Sequence, residues 1–219
     1  MPHPPVILKP HEPVAERVLL PGDPGRALRL ATQLIEGPRM LNHHRGLWGY
    51  SGPAADGAPL TIQSTGLGGP SAAAVVAELV ALGARRLVRV GTAAGRGATP
   101  LGALVVVEEA IAADGASRAL GAGPRVNADT DLTRALAAGR RGLVASADIH
   151  DPVLAAEWTR AGALACDLTS AAVLAAAARA GAAAAAVLGI TRAGGERLDD
   201  AAFEALEAEL GAVAIAALG

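Results

Sequence analysis

Short runs of Val, Ile and Leu alternate along this chain with longer, often alanine-rich stretches, and that alternation leaves little choice of architecture. Strand-like runs fall at Arg17–Leu20, Leu60–Gln63, Arg86–Val90, Ala103–Val107, Leu143–Ser146 and Ala185–Ile190. Helix-like stretches fall at Ala27–Ile35, Ser71–Leu82, Asp129–Ala138, Pro152–Ala161, Thr169–Ala180 and Ala201–Leu218. Strand followed by helix, repeatedly, predicts an α/β fold: a three-layer α/β/α sandwich around a central mixed, largely parallel, twisted sheet. With 219 residues, 52% hydrophobic and 18% charged, the chain is expected to form one packed domain, 1–219, without linker or internal repeat.

Local signals sharpen some boundaries. Ser71 after "GGP" reads as a helix cap and Gly83 as the stop of the same helix. Thr169 reads either as the cap of the helix Thr169–Ala180 or as a hydroxyl for a ligand. The apolar run Ala171–Ile190 has membrane-spanning length, but Arg179 and Gly181 interrupt it, so a buried helix followed by a strand is expected. Pro2, Pro4 and Pro5 mark an extended start with no signal-peptide pattern, and a cytoplasmic location is expected. A net charge of −2 and 2% aromatic residues argue against nucleic-acid or membrane partners. The single cysteine, Cys166, excludes an internal disulfide and a multi-cysteine metal site and reads as a small buried residue; no metal is expected.

Ligands of open α/β sheets bind beyond the carboxyl ends of the strands. Three strand ends here lead into glycine-rich stretches: "PGDPGR", "STGLGGPS" and "GTAAGRG". Glycine lets backbone amides approach a ligand, and helix N-termini add partial positive charge. With Arg26, Arg89 and Thr92 close by, these stretches describe an anion pocket suited to the planar arginine fork. Asp23 is expected to serve the turn, because an acidic group beside an anion is unfavourable. "GLGGPS" lacks the spacing and the downstream acid of a dinucleotide fingerprint, and no lysine-bearing P-loop is present.

The segments "VLLPGDPGRA", "NHHRGLWGYSG", "STGLGGPSAA", "LGARRLVRVGTA" and "DGASR", in this order, resemble the nucleoside phosphorylases: uridine phosphorylase and the hexameric bacterial purine nucleoside phosphorylases. "ASADIHDP", "EWTRAGALACDLTSA" and "GITRAGGE" extend the resemblance through the second half. The resemblance implies phosphorolysis of a nucleoside to free base and pentose 1-phosphate, with inorganic phosphate as co-substrate and no other cofactor. It implies a phosphate site of Gly22, Arg26, Arg89 and Thr92, completed by Arg45 of another subunit. The expected assembly is therefore a homo-oligomer, a hexamer built as a trimer of dimers. Catalytic roles fall on Arg89, Arg192 and Thr169, and ribose and base contacts on Thr169, Leu168, His150 and Arg192.

The departures are as specific as the matches. The family's Glu-Met-Glu, whose second glutamate holds the ribose hydroxyls, aligns with Asp167-Leu168-Thr169. The aspartate that protonates purines is replaced in the stretch Thr191-Arg192, and Arg192 matches an arginine of uridine phosphorylases; a uridine-like substrate is expected, with a purine nucleoside as the other possibility. A base-reading loop after Pro152 is missing. His150 reads equally as a base-packing residue or an exposed loop histidine, and Arg192 as a base contact or a strand-end charge. Val6 stands where a ribose-binding histidine is expected, with His3 or His11 as substitutes after a register shift. Asp167 reads as structural or as a weak ribose contact. The alternative to an enzyme is a relative that binds phosphate or nucleotide without catalysis. A hydrolase fits poorly, since water needs a general base where this chain offers arginine.

Overall fold

The computed structural model describes residues 5–137 and 139–219. His3, Pro2 and Pro4 lie outside the described residues. The chain runs β1 (Arg17–Pro21), α1 (Pro24–Leu34), β2 (Arg39–Asn42), β3 (Gly49–Pro53), β4 (Pro59–Gln63) and α2 (Gly68–Ala81). It continues through β5 (Arg86–Gly95), β6 (Leu104–Ala113), α3 (Gly115–Ala119), β7 (Arg125–Asn127), α4 (Thr130–Ala135) and β8 (Arg140–Ala147). It ends with α5 (Pro152–Arg160), β9 (Ala165–Asp167), α6 (Ser170–Ala180), β10 (Ala183–Ala193), β11 (Glu196–Arg197) and α7 (Asp200–Ala216).

The fold is α/β with a mixed central sheet, as the strand–helix alternation predicts. Strand order is β11-β10-β6-β8-β9-β5-β1-β4-β3-β2, and β10 also pairs with β5. β1 lies parallel between β4 and β5, and β5 and β10 run parallel over most of their length. Because β5 reaches β9 at Ala94↔Cys166 while β10 reaches β6, the strands β5, β10, β6, β8 and β9 close into a ring. This closure goes beyond the open sandwich and brings β9 beside the C-terminal end of β5. Apolar residues of α2 and α6 pack one face of the sheet with Val18, Leu87 and Ala186. Those of α1 and α7 pack the other with Leu19, Val88 and Val187.

Several boundaries differ from the sequence expectation for identifiable reasons. α2 starts at Gly68, not Ser71, because Pro70 needs no N–H partner in a first helical turn; the Ser71 hydroxyl donates to Thr65 O at 2.6 Å instead of capping. α4 stops at Ala135, where Arg141 takes the carbonyls of Thr133 and Leu136 at 2.7 and 2.6 Å. "GTAAG" is strand rather than turn: Thr92 and Ala93 pair with Gly189 and Ile190 of β10. The run Ala171–Ile190 divides into α6 and β10 at Gly181, whose φ of 77° is the left-handed stop that glycine supplies. Among the described residues no helix is long and apolar enough to cross a membrane.

Candidate active site

The stretch "LPGDPGR" is a strand end, a helix cap and a buried cation in immediate succession. Asp23 is the N-cap of α1 and accepts from the Arg26 N–H at 2.7 Å, with Pro24 entering the first turn. Asp23 thus serves the turn, as expected from its charge. The rigid entry fixes Arg26 in the first turn of α1, where the residue is only 5% exposed.

Arg26 and Arg89 line one cavity of about 410 Å³ together with Gly22, Gly66, Gly68, Thr92, Asp167, Leu168, Thr169, Thr191, Arg192 and His150. The predicted residues of β1, β5, β9 and β10 therefore converge at the carboxyl ends of β1, β4 and β5. Gly66 and Gly68, both at positive φ (73° and 76°), turn the β4–α2 connection into the wall of this cavity. Arg45 does not line it. That residue is exposed, at a left-handed φ of 60°, in the turn before β3.

Neither buried arginine is free of protein partners. Arg89, 4% exposed, gives Nη2 and Nε to Asp167 Oδ2 at 3.0 and 3.3 Å, and Nε also reaches Ser170 Oγ at 3.2 Å. Its Nη1 has no hydrogen-bond partner among the described residues. Burial pulls the Arg89 guanidinium below the usual arginine range, the Asp167 carboxylate opposes that pull, and the nearby Arg26 charge adds to it. Burial would raise the Asp167 carboxyl, but the Arg89 charge and hydrogen bonds from Ser146, Ser170 and the Thr169 N–H outweigh it and hold Asp167 below its ordinary value. Arg26 Nε donates to Glu207 Oε1 at 2.5 Å, and Arg29 engages the same carboxylate through Oε2.

Asp167 also explains why Thr169 is not the cap it resembles. Thr169 occupies the N-cap position of α6 but its side chain makes no cap hydrogen bond. The first amides of α6 go to Asp167 and to Ser146 Oγ, the latter from the Ala171 N–H at 3.0 Å. The Thr169 hydroxyl is left at the cavity without a capping duty. The cavity's outer wall is made by Arg192 and His150, both exposed, with Nη2 and Nε2 3.2 Å apart.

A second cavity of about 510 Å³ shares Ala94, His150, Cys166, Asp167 and Arg192 with the first and continues it toward α5 and β11. Its far side holds Ile149, Trp158 and Arg96. Cys166 is buried, as expected, and accepts from Arg96 Nε at 3.2 Å; burial pushes its thiol up. Trp158, Ser146, Ser170 and Glu207 escaped the sequence reading. Trp158 in "EWTRAG" was the one visible signal, since an aromatic residue is rare in this chain. His11 does not reach the cavity either; it stacks on His43 with ring centroids 5.5 Å apart. No group of three or more His, Cys, Asp or Glu among the described residues could hold a metal ion.

A purine nucleoside phosphorylase of the DeoD type from Exiguobacterium sp. is 45% identical over 83 residues, which is 37% of this chain and 35% of that protein. A uridine phosphorylase from Treponema pallidum is 39% identical over 106 residues, 48% of this chain and 40% of that protein. The matched region thus spans about a third to two fifths of those relatives' length. The crystal structure of uridine phosphorylase from Vibrio fischeri ES114, complexed with 6-hydroxy-1-naphthoic acid, superposes with a TM-score of 0.85 at 26% identity, covering 94% of this chain and 91% of that one. The family model described as "Phosphorylase superfamily" matches residues 16–218. On a match of that extent, the chain belongs to the phosphorylase superfamily.

Proposed function

We propose that the protein cleaves a nucleoside by phosphorolysis. A phosphate oxygen attacks the anomeric carbon, the bond to the base nitrogen breaks with its electron pair, and the products are free base and pentose 1-phosphate. One observation carries this reading: two nearly buried arginines from different elements, Arg26 and Arg89, line one cavity with the Gly22 turn and Thr92. Each meets a buried carboxylate on one edge, and Arg89 Nη1 and the two terminal nitrogens of Arg26 keep donors with no partner among the described residues, which an anion in the cavity would take. A fixed phosphate dianion beside the sugar stabilises an oxocarbenium-like transition state electrostatically, and orienting the two reactants removes an entropic barrier. In this reading no cofactor is needed beyond phosphate as co-substrate.

Arg192 favours a uridine-like substrate. A cation at the mouth of the second cavity stabilises negative charge growing on pyrimidine oxygens, whereas a departing purine needs an acid that Thr191 does not provide. His150 and Leu168 take the base and ribose sides of the same cleft. The assembly we propose is a homo-oligomer, a trimer of dimers, with Arg45 completing the neighbour's phosphate site. Within one chain Arg26 and Arg89 already face Glu207 and Asp167, so a dianion calls for a further cation. We place the protein in the cytoplasm.

The second reading is a phosphate- or nucleotide-binding relative without catalysis. It is favoured by Thr169, an uncharged residue where the family resemblance implies a glutamate. Release of free base from a panel of nucleosides, measured with and without phosphate, decides between them. Phosphate-dependent release supports phosphorolysis. Phosphate-independent release identifies a hydrolase, and phosphate binding without release identifies the binding protein.

A further inference from the structure

The C-terminal helix α7 presents one stripe of residues to α1. Phe203, Glu207 and Gly211 are spaced four residues apart and so share a face. Each meets α1 differently. The Phe203 ring lies under the Arg26 guanidinium, 5.7 Å from Cζ to centroid. The Glu207 carboxylate takes the Nε edge of Arg26 and, with its other oxygen, Arg29. At Gly211 a Cβ would lie 2.5 Å from Leu30 Cδ2, so the missing side chain lets the two helices come this close. Glu207 is 3% exposed and lines neither cavity of the cleft. Arg26 makes no other side-chain hydrogen bond to the described residues, so its two terminal nitrogens remain uncommitted on the residue that lines the phosphate cavity.

We infer that Glu207 and Phe203 are positioning residues for Arg26: they fix one edge and one face of its guanidinium so that the Nη pair is presented to phosphate. This rests on the anion-site reading above. The charge of Glu207 works in the opposite sense, since a carboxylate near a dianion repels it. Orientation and charge therefore predict different outcomes for different substitutions.

The test is titration calorimetry of the full chain with inorganic phosphate. Glu207→Ala loses the acceptor and should weaken phosphate binding about tenfold to a hundredfold, the worth of a hydrogen bond to a charged group. Glu207→Gln keeps an oxygen opposite Nε and removes the charge, so it should bind phosphate as tightly as wild type or more so. Phe203→Ala should weaken binding by a few fold. In turnover assays the phosphate KM should rise in Glu207→Ala while the nucleoside KM stays. Phosphate affinity in Glu207→Ala equal to or tighter than wild type overturns the inference. Arg26→Ala is the control. If it leaves phosphate affinity unchanged, the anion site itself is misassigned; if it abolishes binding while Glu207→Ala does not, only the positioning role falls. Should Glu207→Ala fail to fold, Glu207→Asp, shorter by one methylene, must weaken binding, and unchanged affinity there overturns the inference equally.

Discussion

Arg89 and Asp167 meet at 3.0 Å, joining the middle of β5 to the end of β9, next to the Ala94↔Cys166 pair that closes the sheet into its ring. Each is the other's condition for being buried. An unpaired charge at this depth costs several kcal/mol, and the pair recovers it only because the Ser146 and Ser170 hydroxyls and the Thr169 and Ser170 N–H groups satisfy the remaining carboxylate positions. The pair therefore belongs to the fold as much as to the ligand.

Breaking it from one side should cost about 3–5 kcal/mol, because Asp167→Ala strands the Arg89 charge. Replacing both, as Arg89→Met with Asp167→Leu, should recover only the stranded-charge part of that loss, because the Ser146 and Ser170 hydroxyls and the Ser170 N–H lose their acceptor, and phosphate binding stays lost. The pH dependence follows from the lowered Asp167 carboxyl. A group whose folded pKa lies below its unfolded value stabilises the fold above the unfolded value, 3.8 here, and that contribution fades as pH falls through the folded pKa. Urea unfolding of wild type and Asp167→Asn from pH 6 downward checks this: below 3.8 the wild type should lose stability more steeply than the variant.

Gly91 should be as sensitive as the ion pair. Its Cβ would lie 2.8 Å from Arg89 Nη2 and 2.6 Å from Leu188 Cδ2, with Leu188 fully buried. Gly91→Ala should cost about 1–3 kcal/mol by overpacking. It should also weaken phosphate binding, because the guanidinium is one of the groups that must move. Unfolding curves and phosphate titration on the same variant measure both effects, and a stable variant with wild-type phosphate affinity contradicts the geometry.

The sequence made the strand ends legible because local chemistry announces them. "PGDPGR" carries a cap, a proline and a cation within one helical turn, and Asp23 fills the cap position that its spacing indicates. Thr169 misled because the cap position and the capping group are different residues here; Asp167, two positions earlier, does the work. β2 and β3 were missed because "RMLN" and "GYSGP" carry no apolar run, and β9 because three residues are too few for a pattern. Glu207 was invisible for another reason. It is 181 residues from Arg26, and one of four acids on an alanine-rich helix gives no sign of its partner until the helices are packed.

Arg45 can complete a site only from a neighbouring subunit, and mixing experiments read that directly. Arg26→Ala and Arg45→Ala subunits should each be inactive alone. In a hybrid dimer one site carries both changes and the other carries neither, so random mixing should restore about a quarter of the wild-type sites. Recovery of phosphorolysis after mixing and reassociation is the expected result. A mixture that stays inactive, although the subunits exchange, rules out a shared site.

If the cleft takes a nucleoside as proposed, Thr169 is where its ribose side can be rebuilt. Thr169 lines the cavity of Arg26 and Arg89 and its side chain carries no capping bond, so a longer side chain there disturbs no existing hydrogen bond of the Thr169 side chain. A carboxylate at this point would accept from ribose hydroxyls, an interaction worth about 1.5–3 kcal/mol. If that interaction is stronger in the transition state than in the bound substrate, the rate rises roughly tenfold to a hundredfold. The added charge stands near Asp167, but Arg89 already neutralises that carboxylate, so the new one meets little repulsion. Thr169→Glu should therefore raise uridine turnover at saturating phosphate, measured as free uracil. Should neither wild type nor variant release base above background while both bind phosphate, the chain is a phosphate-binding member of its family and not a phosphorylase.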